Sequence, residues 1–480
     1  MDREISRQAF LRGAVGALAA GAVFGPVRAG ADPGNAWSGL ASSIGGKVLV
    51  PVSGASYTSG KQVFNSLYNN LSPAAVVVVT SQDDVRKALG FAAQNKLKVA
   101  PRGGGHSYIG ASTANGAMVL DLRGLPGGVN FDQASGNVTV SAGTSLSAIQ
   151  QALAGAGRAI PTGSCPTVGI AGLALGGGMG GDSRHAGLTC DALKSATVVL
   201  PSGDVVTASP GDHSDLFWAL RGGGGGNFGV TTSMTFATFA TADSDVVRVN
   251  FPPSAAAHVL TGWQSWLSAA DHNTWGLVDL SVSSTQGDCH VLATCPAGSG
   301  SGVADAIKSA VGVPPSGVEN KTLGYMDLVN YLAGGTSAES PRSFVAGSDV
   351  IGTMNSAAAQ GIVAAIGKWP PTAGRASVIV GTLSGAVADV DPADSAFPWR
   401  RHAAVAQWYV ETTAGSPVST ATQWLSAAHQ AVQPYSVGGY VNYLEANTPA
   451  ARYFGTNLSR LSTARQKYDP NQMMFSGLSF

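Results

Sequence analysis

The sequence predicts an α+β fold of two lobes, and three observations carry that prediction. At 480 residues the chain is too long for one simple core. From about residue 70 to 240, short β-branched runs alternate with helix-patterned stretches. From about 245 to 430, strand-like stretches recur between helices and Pro/Gly/Ser loops, the texture of an antiparallel sheet backed by helices.

In the first lobe, residues 74–79 form a continuous apolar run, as a strand buried on both faces requires. Ser81-x-x-Asp84 then reads as a capping box opening a helix with Val85, Leu89, Ala92 and Ala93 on one face. Further strands are expected at 97–100, 118–122, 138–141 and 196–200, with a helix at 147–154. In the second lobe strands are expected at 246–251, 276–282, 289–294 and 376–380. The last forty-odd residues, about 435–480, return to motif-dense sequence and are expected to pack back on the first lobe.

Only 12% of residues are charged against 44% hydrophobic, so the chain can bury a large core. Acidic and basic residues balance at 28 each, which gives no electrostatic reason to bind nucleic acid or an anionic membrane. Arg3, Arg7 and Arg12 lead into an apolar run over 14–24 that is shorter than the ~20 residues a bilayer needs, and Ala29-Gly30-Ala31 offers a small-x-small cleavage site. Residues 1–31 therefore resemble a twin-arginine-type export signal, with Gln8 where the second arginine would stand, and predict a protein outside the cytoplasm. An N-terminal extension on a cytoplasmic protein is the alternative. The four cysteines match no zinc spacing, and no metal is expected. Cys289 and Cys295 are either a small disulfide loop or two thiols.

Three glycine loops carry the functional signal: Arg102 to Ser107, Gly172 to Gly181, and Gly222 to Gly229. Consecutive glycines let the backbone approach a ligand and turn successive N–H groups towards an anion such as a diphosphate. The dinucleotide fingerprint of the Rossmann fold is not met, because no loop of that spacing follows a first strand with an acidic partner about 20 residues on. A nicotinamide cofactor is therefore not expected.

PRGGGHSYIG at 101–110, GSCPTVGIAGLALGGG at 163–178, GLTCD at 187–191 and LRGGGGGNFGV at 220–230 resemble the PCMH-type FAD-binding domain of the vanillyl-alcohol oxidase superfamily. Tyr440-Val441-Asn442-Tyr443, Tyr453-Phe454-Gly455 and KYDPN at 467–471 point to its berberine bridge enzyme-like branch, above all the bacterial sugar and antibiotic-tailoring oxidases. The resemblance covers about 70–240 and the last 45 residues.

That resemblance implies FAD bonded covalently through His106 to the flavin 8α-methyl carbon and through Cys165 to ring carbon 6. A neutral imidazole and a thiolate are the soft nucleophiles such bonds need. Arg102, Gly103, Gly104, Gly105 and Ser107 would offer N–H groups to the diphosphate. Thr167, Gly172 and Gly177 would line the other side, with Gly229, Val230 and Asn442 also at the cofactor. Val168, three residues after the cysteine, would govern access of O2. Tyr443 would be the catalytic base and Tyr440 its understudy. The stretch 378–385 around Thr382, where a second base is expected, holds neither a tyrosine nor a carboxylate. Arg184 and His185 read as a structural pair.

Trp263, Trp266, Trp275, Trp408 and Tyr409 are either sugar-stacking platforms or core. The implied reaction is oxidation of an alcohol on a sugar or a glycosylated or polyketide natural product, with O2 as acceptor. Oxidative cyclisation with C–C bond formation is the rival within enzymes, and a flavin-binding protein without turnover the rival outside them.

Overall fold

The computed structural model describes residues 33–283, 287–335, 340–370, 373–413 and 415–480. The expected export signal over 1–31 lies outside these described residues.

The first lobe is built on two sheets. In the smaller, strands Ala75–Val78, Met118–Asp121 and Val99–Arg102 run parallel, and Lys47–Leu49 pairs antiparallel at the edge. Its central strands are covered on both faces, which is why 74–79 carries no polar alternation. Helix Gln82–Gln94 begins as the sequence predicts, with the Ser81 hydroxyl accepting the Asp84 N–H at 3.0 Å. The capping box is only half formed. The Asp84 carboxylate instead accepts from the Thr80 N–H and hydroxyl, both at 2.8 Å, and from the Gly45 N–H at 2.9 Å. The second sheet is antiparallel, in the order Val129–Asp132, Asn137–Ser141, Val230–Ala237, Leu193–Val199, Val205–Ala208.

The second lobe is an eight-stranded antiparallel sheet, ordered Gly317–Leu323, Ser244–Asn250, Gly287–Pro296, Trp275–Val282, Ala376–Thr382, Ala404–Glu411, Phe344–Ile351, Ser436–Gly438. Helices Ala256–Ala269, Gly300–Val311, Ser356–Ile366 and Val418–Val432 cover one face and bury an apolar core against it. The period-2 alternation of strands decides which side chains join that core. On Ala404–Glu411, residues Ala404, Ala406, Trp408 and Val410 face the helices, so Gln407 and Tyr409 face the first lobe. Trp263 and Trp408 (each 0% exposed) and Trp266 (7%) belong to the helix-side core and cannot stack on a ligand.

Cys289 and Cys295 lie on one strand, six residues apart, roughly 20 Å at the usual strand rise. A disulfide needs α-carbons within about 7 Å. They are two separate thiols, both buried, and burial pushes them up to about 12 and about 11.

The C-terminal segment returns to the first lobe. Val99 N–H donates to Met473 O at 2.9 Å and Phe475 N–H to Val99 O at 2.8 Å, so the tail adds to the free edge of the parallel sheet. Tyr453, Phe454, Leu461, Met474 and Leu478 enter the first-lobe core.

A buried ion pair holds the long connection after the second lobe's fifth strand onto the first lobe. Arg400, with no exposed side-chain surface, reaches both oxygens of Asp191 at 2.7 Å and donates to Ser395. Removing one partner strands the other charge away from water, at a cost of about 3–5 kcal/mol. Arg400→Ala should lower the urea midpoint by a corresponding amount. The double variant Asp191→Asn/Arg400→Met should recover much of that loss, and a double variant no more stable than Arg400→Ala would assign the pair a packing role only.

Candidate functional site

A cavity of about 480 Å³ lies between the glycine loops of the first lobe and the uncovered face of the large sheet. The predicted residues Gly103, Gly104, Gly105, His106, Ser107 and Cys165 line it, as do Val168, Gly172, Gly229, Tyr440, Asn442 and Tyr443. These converge from loops up to 340 positions apart in sequence.

The first loop leaves the C-terminal end of strand Val99–Arg102, where a chain emerging from a parallel sheet is free to meet a ligand. A Cβ on Gly104 would stand 2.2 Å from the amide nitrogen of Gly169, and one on Gly169 equally close to that of Gly104. Only glycine permits this crossing, which sets the His106 loop directly on the Cys165 loop. Across the crossing, His106 Nε2 and Thr167 Oγ1 are 2.9 Å apart, and the imidazole stacks on Phe64 with centroids 4.0 Å apart. Burial lowers His106 to about 4, so the ring is neutral at physiological pH, the form a nucleophilic nitrogen needs. The N–H groups from Gly103 to Ser107 find no protein acceptor among the described residues. Five successive unengaged donors on residues that line a cavity suit an anion. Cys165, in no disulfide, is exposed in the same cavity.

The C-terminal motif enters from the opposite side. Tyr440 is fully buried, and its hydroxyl accepts from Gly178 N–H at 2.8 Å and from Asn442 Nδ2 at 2.9 Å. Asn442 also donates to Leu173 O at 3.0 Å, and it passes so near Gly176 that a Cβ there would lie 2.0 Å from its side-chain oxygen. Tyr443 packs edge-on against Tyr440 and is stacked on Tyr108 at 5.2 Å. Burial pushes Tyr443 well above the usual phenol range, and the neighbouring Tyr440 and Cys165 add to the rise.

Four predicted residues stand behind the wall rather than on it. The Arg102 guanidinium is fully buried and paired with Asp121 at 2.8 Å, so it braces the loop. Thr167 holds His106. Gly177, at φ +125°, where a side chain is strained, packs against the Tyr440 ring, and a Cβ there would press on it at 3.3 Å. Val230 is a fully buried strand residue. Arg184, likewise buried, bonds Ser384 and the Ala270 carbonyl.

The cavity also contains residues the motifs did not single out. Tyr108 stands two positions after His106, and its hydroxyl accepts from Gln407 Nε2. Ser377, Ile379, Gln407 and Tyr409 come from adjacent strands of the large sheet, with Ser377 and Tyr409 opposite one another in register. The stretch around Thr382 brings no tyrosine to the cavity, and Tyr409 lines it from the adjacent strand.

A model of the FAD binding domain matches residues 73–209, and one described as berberine and berberine like matches 439–474. Physcomitrella patens BBE-like 1 superimposes with a TM-score of 0.83 at 25% identity, over 92% of this chain and 98% of that one. The chain is an FAD-linked oxidoreductase that carries an FAD-binding domain and a berberine-like C-terminal segment. Among curated relatives, the chitooligosaccharide oxidase of Gibberella zeae is 28% identical over 84% of this chain and 86% of its own. The xylooligosaccharide oxidase of Thermothelomyces thermophilus is 37% identical over 45% of each. The glycine cradle and the unpaired N–H row fit FAD, with Gly103 to Ser107 suited to its diphosphate.

Two residues beyond the Tyr443 of this oxidoreductase, Glu445 enters a buried charge cluster. His429 lies between Asp349 (2.6 Å) and Glu445 (2.7 Å), and Arg452 also reaches Asp349 at 2.8 Å. Burial alone would lower His429, but its two carboxylate partners outweigh that and push it up to about 9. Asp349 is held at about 2, because its partners outweigh its own burial. An imidazole raised above its unfolded value of ~6.5 stabilises the fold fully below that pH, and the contribution is lost as pH rises through about 9. The urea midpoint should therefore fall between pH 7 and 10, and His429→Gln should flatten that part of the profile. An unchanged slope in the variant would remove His429 from the account.

Proposed function

We propose that the protein is an oxidase of carbohydrate hydroxyls or hemiacetals, with FAD bonded covalently to His106 and Cys165 and O2 reduced to hydrogen peroxide. The observation that carries this reading is the convergence of His106, Cys165 and Tyr443 on one cavity whose far wall is polar and aromatic. Support for the substrate class comes from the oligosaccharide oxidases among its relatives and from Ser377, Gln407 and Tyr409, which suit a polyhydroxylated ligand. FAD, when bound, supplies the hydride acceptor and the route of electrons to oxygen.

The chain's own residues do the rest. His106, neutral and oriented through Nε2 by Thr167, presents Nδ1 for attachment. Tyr443 receives the hydroxyl proton of the substrate, since a carbinol gives up hydride readily only as that proton leaves. Tyr440 is a positioning residue, because Gly178 and Asn442 already occupy its oxygen. Gln407 fixes the Tyr108 hydroxyl beside it. Val168 lines the cavity wall three residues after Cys165, and its small side chain would leave oxygen a path.

Acid precipitation of the holoprotein should leave the yellow colour in the pellet. His106→Ala and Cys165→Ala should each keep flavin through the remaining bond, and the double variant should release it. Free flavin in the wild-type supernatant would end the covalent reading.

A panel of mono- and oligosaccharides should yield peroxide with at least one member. Tyr443→Phe should lower the rate of flavin reduction on the order of 10²–10⁴-fold, the usual loss of a positioned base. A phenol pushed up by burial gains its base form only at high pH, so wild-type reduction should quicken as the medium becomes alkaline and the variant should not. Wild-type rates in Tyr443→Phe across the pH range would place the base elsewhere.

A further inference from the structure

Burial divides the methionines of the described residues into two groups. Met118, Met234, Met354, Met473 and Met474 are buried, the first two completely. Met179 and Met326 are half-buried. Met326 stands on helix Tyr325–Leu332 and does not line the flavin cavity, whereas Met179 does. Among the lining residues the one other sulfur is that of Cys165.

Met179 also lies where the two lobes meet. It follows the glycine run 176–178, and its methyl carbon reaches the large sheet, where a Cβ on Gly381 would lie 3.4 Å from it. Gly381 shares a strand face with Ser377 and Ile379, which line the cavity. The Met179 N–H adjoins the Tyr440 hydroxyl, next to the bond from Gly178 N–H at 2.8 Å. Its side chain packs on the apolar cluster that contains Leu383, Val405 and Tyr440.

Hydrogen peroxide oxidises a thioether to the sulfoxide in one two-electron step. A sulfur lone pair attacks one peroxide oxygen and the O–O bond breaks. The other oxygen leaves with the bonding pair and takes the proton left on the first, giving water. Sulfur is oxidised, peroxide is reduced, and no further reagent is needed. In an oxidase the peroxide arises inside the cavity and passes its walls on the way out. Met179 meets it there undiluted, an exposure that Met326 and the buried methionines do not share. Cys165 is the poorer target, because in the proposed attachment its sulfur is conjugated with an electron-poor ring.

We propose that Met179 is a modification site for the protein's own product, and that its sulfoxide limits the enzyme's working life. The proposal rests on the oxidase reading above. Oxidation replaces a flexible apolar side chain by a polar one. The new oxygen demands a donor at a place packed against Gly381 and the apolar cluster, so the side chain must leave it. Tyr440 then loses packing, and so does Tyr443, which rests edge-on against it.

Peroxide can be made in the cavity without a sugar. The holoenzyme is reduced with stoichiometric dithionite under nitrogen and reoxidised with air, in repeated cycles. Catalase in solution removes the peroxide that escapes. Peptide mass spectrometry should find sulfoxide at Met179 and thioether at Met326. With a sugar that is oxidised, the wild-type rate of flavin reduction should fall over successive turnovers and return on treatment with methionine sulfoxide reductases. Met179→Leu should hold its own starting rate, and Met326→Leu should decline as the wild type does. Intact Met179 after cycling, sulfoxide spread equally over both methionines, or equal decline in wild type and Met179→Leu overturns the proposal. Sulfoxide confined to Met179 in a protein that oxidises no sugar would uphold the site and overturn the proposed reaction.

Discussion

The structure depends on one contact that only glycine allows, the crossing of the Gly104 and Gly169 backbones. At 2.2 Å there is no space for a β-carbon, and no side-chain rotation relieves a clash with a backbone amide. The crossing brings the loop that ends the parallel sheet onto the loop that opens helix Ile170–Leu175. His106 and Cys165, 59 positions apart in sequence, come to line one cavity because of it. The same geometry frees the N–H row from Gly103 to Ser107, since a chain held by a crossing need not spend those donors on secondary structure. Arg102 completes the device from behind by tying the strand end to Asp121.

The second fixed point is the C-terminal segment, which must bring Tyr443 to the cavity from a different lobe boundary. It is held on one flank by Asn442 and Tyr440 against Gly176 to Gly178. On the other flank Glu445 joins Asp349, His429 and Arg452. With the imidazole protonated, that cluster has two negative and two positive groups, so burying it leaves no net charge unpaired. Gly347 is part of the same fit, because a Cβ there would strike the Glu445 carboxyl at 2.4 Å. Tyr443, two residues from Glu445 and three from Tyr440, has little freedom left.

What the sequence revealed and what it concealed divide along the range of the interactions. The glycine loops, His106, Cys165 and the Tyr440 to Tyr443 motif were legible because their chemistry is written in adjacent residues. The far wall was not. Gln407 and Tyr409 reach the cavity only because Ala404–Glu411 pairs in one register with Ala376–Thr382, and a one-residue slip would have sent Trp408 there instead. Cys289 and Cys295 were ambiguous for the same reason, since spacing alone does not say that both lie on one extended strand. The Gly177 backbone and the Arg102 side chain support the tyrosine and the loop from behind; a motif shows that a position is constrained, not which neighbour constrains it.

The placement of Tyr443 sets a problem that the cavity itself addresses. Burial and the neighbouring Tyr440 and Cys165 all oppose the phenolate, and Tyr108, stacked on it, is opposed by burial and by the same thiol. A phenolate so placed is scarce but a strong base once formed, because the low-dielectric surroundings that suppress the anion also raise its appetite for a proton. Of the three opposing influences, burial and Tyr440 belong to the fold. The third depends on Cys165 being able to carry charge. Were Cys165 converted to a thioether, as the proposed attachment requires, it could no longer ionise, and its opposition to both phenolates would disappear.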